Sequence, residues 1–342
     1  MENLLLKRQK QFRASGLVVF LIACGLLVAR IVSNLLNLGK VDYTLNDTIF
    51  TFIVQIGFGL VVPFFVYKIA LKKSTKQTLE FSNFRKPDWK IMLLCIPLTF
   101  AVMCATAIIA TVWRIFLISF GYQLSSSGYG SGGEFLWYML VLEIFLSAML
   151  PAICEEFTDR GGLLTTLRGS YSTVQTALIS GLIFGLSHQN IEQVFYTFCM
   201  GVFLAILVMK TKSIFPAMLV HFINNAFSIY QSYAVTYSLP FYQLINWAYD
   251  LIVTNLGLVM ALAGLIVGGG VLLFWLIIKI CQKNDQKARE KIMQERGESG
   301  GEVLLPFEDK TVYKPVFRDW IFMMSGMIIM AITTLSTFFW RI

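Results

Sequence analysis

The chain has 342 residues, of which 56% are apolar and only 14% charged, with a mean hydropathy of +0.68. An ordinary soluble domain carries about 25% charge, whereas here near-uncharged runs of about 18 residues or more, each able to cross a roughly 30 Å hydrocarbon layer, recur throughout, which excludes a large soluble core. The formal charge of +8 does not point to nucleic acid, because Lys and Arg cluster between the apolar runs instead of interleaving with exposed aromatics.

In chain order, Lys7, Arg8, Lys10 and Arg13 precede an apolar run reaching Leu38. It is too long for a signal peptide and lacks a small-residue cleavage site, so it is expected to stay as a first membrane helix. With it, nine spans are expected, at 15–38, 48–71, 91–120, 135–168, 173–190, 194–210, 214–237, 257–281 and 320–340. Basic residues fall in alternate connections: Lys7 to Arg13, Lys68 to Lys90, Arg168, Lys210 with Lys212, and Lys279 to Arg318. By the positive-inside rule the N-terminus is expected in the cytoplasm and the C-terminus outside. The loop 121–133 carries no charge, residues 241–256 read as an amphipathic interfacial segment, and 284–319 reads as a flexible charged linker. The six cysteines form no CxxC pair, so neither disulfides nor a sulfur-based zinc site is expected. The fold class is all-α, a polytopic bundle of about eight to nine membrane helices. It divides into N-terminal helices (1–134), a catalytic core (135–237) and C-terminal helices with the linker (238–342).

An ionisable group at the bilayer centre costs about 2.5 to 3.5 kcal/mol on insertion scales, so such groups mark function. Both histidines of the chain, His188 and His221, fall inside expected spans. Three short patterns surround them: Glu155-Glu156 followed by Asp159-Arg160, then Phe184 to His188, then His221 to Asn225. Residues four apart share a helix face, which sets Glu156 over Arg160, Phe184 over His188 and His221 over Asn225. Counting from the turns at Arg168 and Ser213 puts Glu155 roughly 20 Å deep, His188 roughly 24 Å, His221 roughly 12 Å and Asn225 roughly 18 Å. A carboxylate, two imidazoles and an amide from three helices therefore reach comparable depths, and none is cheap to bury alone. Glu143 and Glu192 read as solvated carboxylates near the outer interface, and Arg30 and Arg114 as snorkelling side chains.

The order EExxxR, FxxxH, HxxxN, with 33 residues from Glu155 to His188 and 33 more to His221, resembles the CPBP family of intramembrane proteases. That family includes the type II CAAX prenyl endopeptidases and the bacterial Abi proteins. The likeness covers roughly 145–230. It implies that Glu155 is the general base for water, that His188 helps hold that water, and that His221 and Asn225 stabilise the oxyanion, with Glu156, Arg160, Phe184 and Asp159 supporting the site. Asp159 departs from the family, where an apolar or aromatic residue precedes the arginine. It acts on the ionisation of Glu155, adds a metal ligand, or neutralises Arg160. Gly161-Gly162 is expected to break the motif helix and admit water from the cytoplasm.

The resemblance implies an intramembrane endopeptidase, expected in a bacterial membrane, that cleaves within or at the cytoplasmic side of the membrane and acts on membrane-embedded or lipidated peptides such as CAAX-type tails or bacteriocin and pheromone precursors. No cofactor is required by a glutamate mechanism. Zinc held by His188, His221 and Glu155 is the alternative, although no helix carries both histidines as an HExxH pair does. Two other classes stand beside the protease: a non-catalytic scaffold or immunity protein on the same fold, and a haem protein using His188 and His221 as axial ligands.

Overall fold

The computed structural model describes residues 2–35, 43–124, 134–296 and 312–339. Among them are eleven helices and no strand: α1 (Glu2–Leu35), α2 (43–70), α3 (Thr75–Phe81), α4 (Trp89–Ser119), α5 (Trp137–Arg168), α6 (Thr173–Ser187), α7 (Val194–Thr211), α8 (Phe215–Tyr237), α9 (Tyr242–Thr254), α10 (Leu256–Arg296) and α11 (Phe317–Phe339). Seven of these, α1, α2, α4, α5, α7, α10 and α11, are long and apolar enough to cross a membrane. The nine expected spans correspond to those seven together with α6 and α8. These two fall short for different reasons: α6 has only 15 residues, and α8 spends His221, Asn224, Asn225 and Gln231 on polarity.

Local chemistry sets the boundaries. Ser74 with Gln77, and Ser172 with Gln175, form capping boxes that start α3 and α6. Asp88 caps α4 by accepting from the Lys90 amide at 2.9 Å, and Pro216 opens α8. α6 ends at Ser187, earlier than expected, because Gln189 turns left-handed (φ 46°) and leaves His188 as the C-cap. α10 runs in the other direction. It continues to Arg296, so 284–296 is helix and not flexible chain, held by Lys212 to Asp285 at 2.5 Å and by Asn284 to Asp88 at 2.8 Å. Residues 297–311 of the expected linker and 125–133 of the uncharged loop lie outside the described residues.

α5 is the spine of the site and is irregular. It widens to π-helix over Phe145–Met149 and Phe157–Leu163, and Gly161 leaves helical geometry altogether (φ −77°, ψ −106°). The expected break is there, but it does not admit water. The Asn83 amide, on a left-handed residue (φ 58°), donates at 2.8 Å to the Arg160 carbonyl and at 2.8 Å to Thr165 Oγ1. A Cβ on Gly162 would stand 2.2 Å from the Tyr67 ring, and one on Gly161 2.9 Å from Ser82. Every residue from Phe157 to Leu164 is buried. A packed plug therefore replaces the expected water path.

Around α5, α6 packs on α7, α4 contacts α7, α8 and α10, and α1 lies along α11. α6 and α7 touch backbone to backbone, since a Cβ on Gly201 would meet the Gly181 Cα at 2.9 Å. The two described ends of the chain are tied at Asp319, which is buried and accepts from Arg13 Nε (2.7 Å), Gln9 Nε2 (3.1 Å), the Val316 amide (3.0 Å) and the Tyr313 hydroxyl.

Candidate active site

The eight expected residues come from α5, α6 and α8 and gather where these helices meet α7. Arg160 is fully buried and its Nη1 stands 3.2 Å from Glu156 Oε1, the i, i+4 pair read from the sequence. Its Nη2 reaches the Gly201 carbonyl at 3.3 Å, and its guanidinium lies 4.1 Å over the face of Phe184. The close approach of α7 at Gly201 is what brings that carbonyl within reach. A buried arginine needs this much compensation: a carboxylate, a carbonyl and a ring face.

Glu156 does more than pair with arginine. The same Oε1 lies 3.0 Å from His221 Nδ1. An N–H facing a carboxylate donates to it, so the proton sits on Nδ1 and the ring presents Nε2 to the other side. On that other side is Glu155, whose Oε2 stands 4.0 Å from Nε2. His188 follows the same rule: its Nδ1 donates to the Phe184 carbonyl at 2.8 Å, leaving Nε2 free to face the site. Phe184 packs edge-on against His188 (4.9 Å) and His221 (5.8 Å), so one ring steadies both imidazoles and the guanidinium.

The two neighbouring glutamates thus have different environments. Glu156 is fully enclosed, while the Glu155 side chain is 22% exposed and borders two cavities. Gln55 of α2 donates to Glu155 Oε1 at 2.9 Å, and Oε2 has no hydrogen-bond partner among the described residues. Gln55 was missed in the sequence. Its signal was a polar residue inside the span 48–71, passed over because it carries no charge. Asn225 is held at the same locus, accepting from Asn224 at 2.9 Å and donating to the Ser147 carbonyl at 3.2 Å, within the first π-helical stretch of α5. Asp159 lies on the wall of the smaller cavity with its Oδ2 3.9 Å from Arg160 Nη1, so of its possible contacts the one with Arg160 is made.

The cavities meet at Gln55, Glu155 and His188. One, of about 240 Å³, is walled largely by apolar side chains, including Val19, Ile22 and Leu26 of α1, Phe58 of α2 and Met330 of α11. The other, of about 470 Å³, is more polar and includes His221, Asn225, Gln193, Tyr196 and Gln231. It extends away from the basic end of the bundle. Thr51 lies near the start of α2, Arg114 near the end of α4, Ser147 before Glu155 on α5, and Gln231 well along α8. Glu192, expected to be solvated, is instead buried beside this cavity's mouth, accepting from Tyr122 at 3.1 Å and facing Arg114 at 3.9 Å.

Among the described residues, no three His, Cys, Asp or Glu side chains are grouped as a metal-ligand set. Each histidine commits Nδ1 to an oxygen of its surroundings and turns Nε2 towards the site.

Residues 136–227 match the family described as type II CAAX prenyl endopeptidase Rce1-like, a segment that contains Glu155, His188, His221 and Asn225. No curated protein and no solved structure matches the chain. With seven apolar helices of membrane-spanning length, the family match makes this an integral membrane protein.

Proposed function

We propose that this protein is an intramembrane endopeptidase in which Glu155 activates water and His221 and Asn225 receive the developing oxyanion. The observation that carries it is Glu155 Oε2, buried without a hydrogen-bond partner among the described residues, facing His221 Nε2 at 4.0 Å beside the point where the two cavities join. A separation beyond direct hydrogen bonding, at a carboxylate oxygen that lacks a partner, suits a bridging water.

In the proposed cycle, water held by Glu155 and His188 Nε2 gives a proton to the Glu155 carboxylate as its oxygen attacks the scissile carbonyl. With Glu156 accepting from Nδ1, the His221 ring carries on Nε2 a proton taken up from bulk solvent before the peptide binds, donates that N–H as a hydrogen bond to the oxyanion, and keeps the proton through the turnover. The second amide hydrogen of Asn225 adds another donor. When the tetrahedral intermediate collapses, the leaving amine takes the proton from Glu155, which restores the carboxylate. Gln55 fixes one carboxylate oxygen so that the other meets water.

The cavity chemistry supports an amphipathic peptide substrate, with an apolar or lipidated portion in the smaller cavity and the polar backbone in the larger. The larger cavity runs towards the end of the bundle remote from the basic residues, and the plug at 157–164 blocks the basic end. Combined with the charge bias, this favours substrates that reach the site from the non-cytoplasmic leaflet.

The test is cleavage of fluorogenic membrane-associated peptides, prenylated and unprenylated, by purified wild type and by Glu155→Gln, His188→Ala and His221→Ala. Each variant is expected to lose at least about a hundredfold in rate while eluting as folded protein. Activity that survives Glu155→Gln would overturn the assignment of the base.

A further inference from the structure

Asp159 has no part in the proposed cycle, and its protein neighbours do not satisfy it. It is only 5% exposed and lies on the wall of the smaller cavity. Its one ion pair, with Arg160 Nη1 at 3.9 Å, is longer than a hydrogen bond, and it accepts no hydrogen bond from the described residues. The same guanidinium nitrogen stands closer to Glu156, at 3.2 Å. A buried carboxylate is normally paired at close range and hydrogen-bonded, so this one lacks a partner on its cavity side.

The balance of charge points the same way. Glu155, Glu156 and Asp159 stand against one guanidinium, and the protonated His221 of the proposed cycle still leaves one negative charge over. Among the described residues no lysine or arginine lines the smaller cavity, and the plug at 157–164 separates Asp159 from the basic end of the bundle. A compensating cation therefore arrives through the cavities, with whatever fills them. The walls define it further. Away from the junction they are largely apolar, including Ile22, Phe58 and Met330, which offers nothing to a small hydrated ion. An alkyl stem with a cationic head buries its methylenes on such walls and carries its charge to the carboxylate. Asp159 lies four residues beyond Glu155, roughly 6 Å further along α5, a distance matched to the four-carbon stem of lysine. The volume of about 240 Å³ falls below the roughly 300 to 1,000 Å³ of pockets for drug-sized ligands, which suits one side chain better than a long lipid chain.

We infer that the smaller cavity is a specificity pocket for a lysine or arginine side chain of the substrate, with Asp159 pairing with the cationic head. This rests on the peptidase reading and narrows it: of an apolar or a lipidated portion, the occupant is an unlipidated side chain with an apolar stem. Asp159 selects the substrate and takes no proton during turnover.

The experiment uses the full-length protein in neutral detergent. Peptides identical except at one position, scanned along both sides of the scissile bond, carry lysine, farnesylated cysteine, or norleucine, which keeps the apolar stem and lacks the ammonium. Cleavage is measured with wild type, Asp159→Asn and Asp159→Leu, each checked for elution as folded protein. In parallel n-pentylamine and n-pentanol are titrated into the same three proteins, and the shift in unfolding temperature is read. At one position wild type is expected to prefer lysine over norleucine by at least about tenfold in kcat/KM, and both variants to lose that preference. Pentylamine is expected to raise the unfolding temperature of wild type more than pentanol does, a difference absent from both variants. Norleucine or farnesylated cysteine cleaved as well as lysine at every position, or a lysine preference that survives both substitutions, would overturn the pocket. If wild type cleaves no peptide, the peptidase reading fails, and the amine titration decides the pocket alone. An amine shift that depends on Asp159 then keeps a cation pocket, and equal shifts in all three proteins reject it.

Discussion

Glu156 holds two jobs with one oxygen, 3.2 Å from Arg160 and 3.0 Å from His221. Replacing it by glutamine keeps the shape but leaves the fully buried Arg160 beside a neutral group. Breaking a buried pair this way costs about 3 to 5 kcal/mol, so Glu156→Gln is expected to lower the unfolding temperature markedly as well as activity. Arg160→Met/Glu156→Gln, which removes the charge on both sides, is expected to recover part of the stability and none of the turnover. Gln55 makes the opposite prediction. It contributes a hydrogen bond to a charged group, worth about 1.5 to 3 kcal/mol, so Gln55→Leu is expected to reduce kcat by roughly ten- to a hundredfold with little change in unfolding temperature. A steady-state split into kcat and KM checks this, and an unchanged kcat would remove Gln55 from the site. At this scale the sequence was informative where side chains lay four apart on one helix. The Glu156–Arg160 pair and the Phe184–His188 stacking were both legible. The bonds from Glu156 to His221 and from Gln55 to Glu155 were not, because they join positions 65 and 100 residues apart.

Among the elements, α5 depends on two small residues where the chain leaves helical geometry. A methyl at Gly162 would stand 2.2 Å from the Tyr67 ring. Gly162→Ala is therefore expected to destabilise by about 1 to 3 kcal/mol through overpacking, and a double-mutant cycle with Tyr67→Ala is expected to show coupling between the two sites. The start of α4 responds to acid. Its cap Asp88 is held below the ordinary aspartate range by the Asn284 amide first and the Lys90 backbone N–H second. A depressed carboxyl stabilises the fold above the unfolded-state pKa, and that contribution is lost as pH falls through the folded one. The protection of the amides at residues 89–92 against hydrogen exchange, taken relative to their intrinsic rates at each pH, is thus expected to fall below the ordinary aspartate range in wild type and to show no such step in Asp88→Asn. Hydropathy was enough to find the helices. It did not find their ends. The C-terminal part of α10 looked like linker because charge density was taken for disorder. Yet 284–296 is rich in helix-forming Gln, Lys, Ala, Arg and Glu, and it is supported by the pairs Gln286–Glu290 at 2.8 Å and Lys291–Glu295 at 3.8 Å.

For the molecule as a whole, the plug in α5 and the direction of the polar cavity set a polarity between the two ends of the bundle. In a background lacking the native thiols, Gln231→Cys is expected to react with an impermeant maleimide added to the non-cytoplasmic side of oriented vesicles, and Arg168→Cys only from the other side. The reverse pattern would invert the proposed access. The sequence carried the bundle, its charge bias and the three motifs. It could not carry the polarity, because that depends on how Tyr67, Ser82 and Asn83 fill a gap in a helix far along the chain.

The wall of the apolar cavity has its own consequence for biogenesis. It joins Val19, Ile22 and Leu26 of α1 to Met330 of α11, and Asp319 ties those helices together. During synthesis the residues from Glu155 to Asn225 emerge well before α11, so the chamber beside Glu155 stays open on one flank until α11 has been made. A chain built in this order would close the chamber only when α11 docks, so the proposed peptidase would leave its neighbours at the insertion site uncut until then.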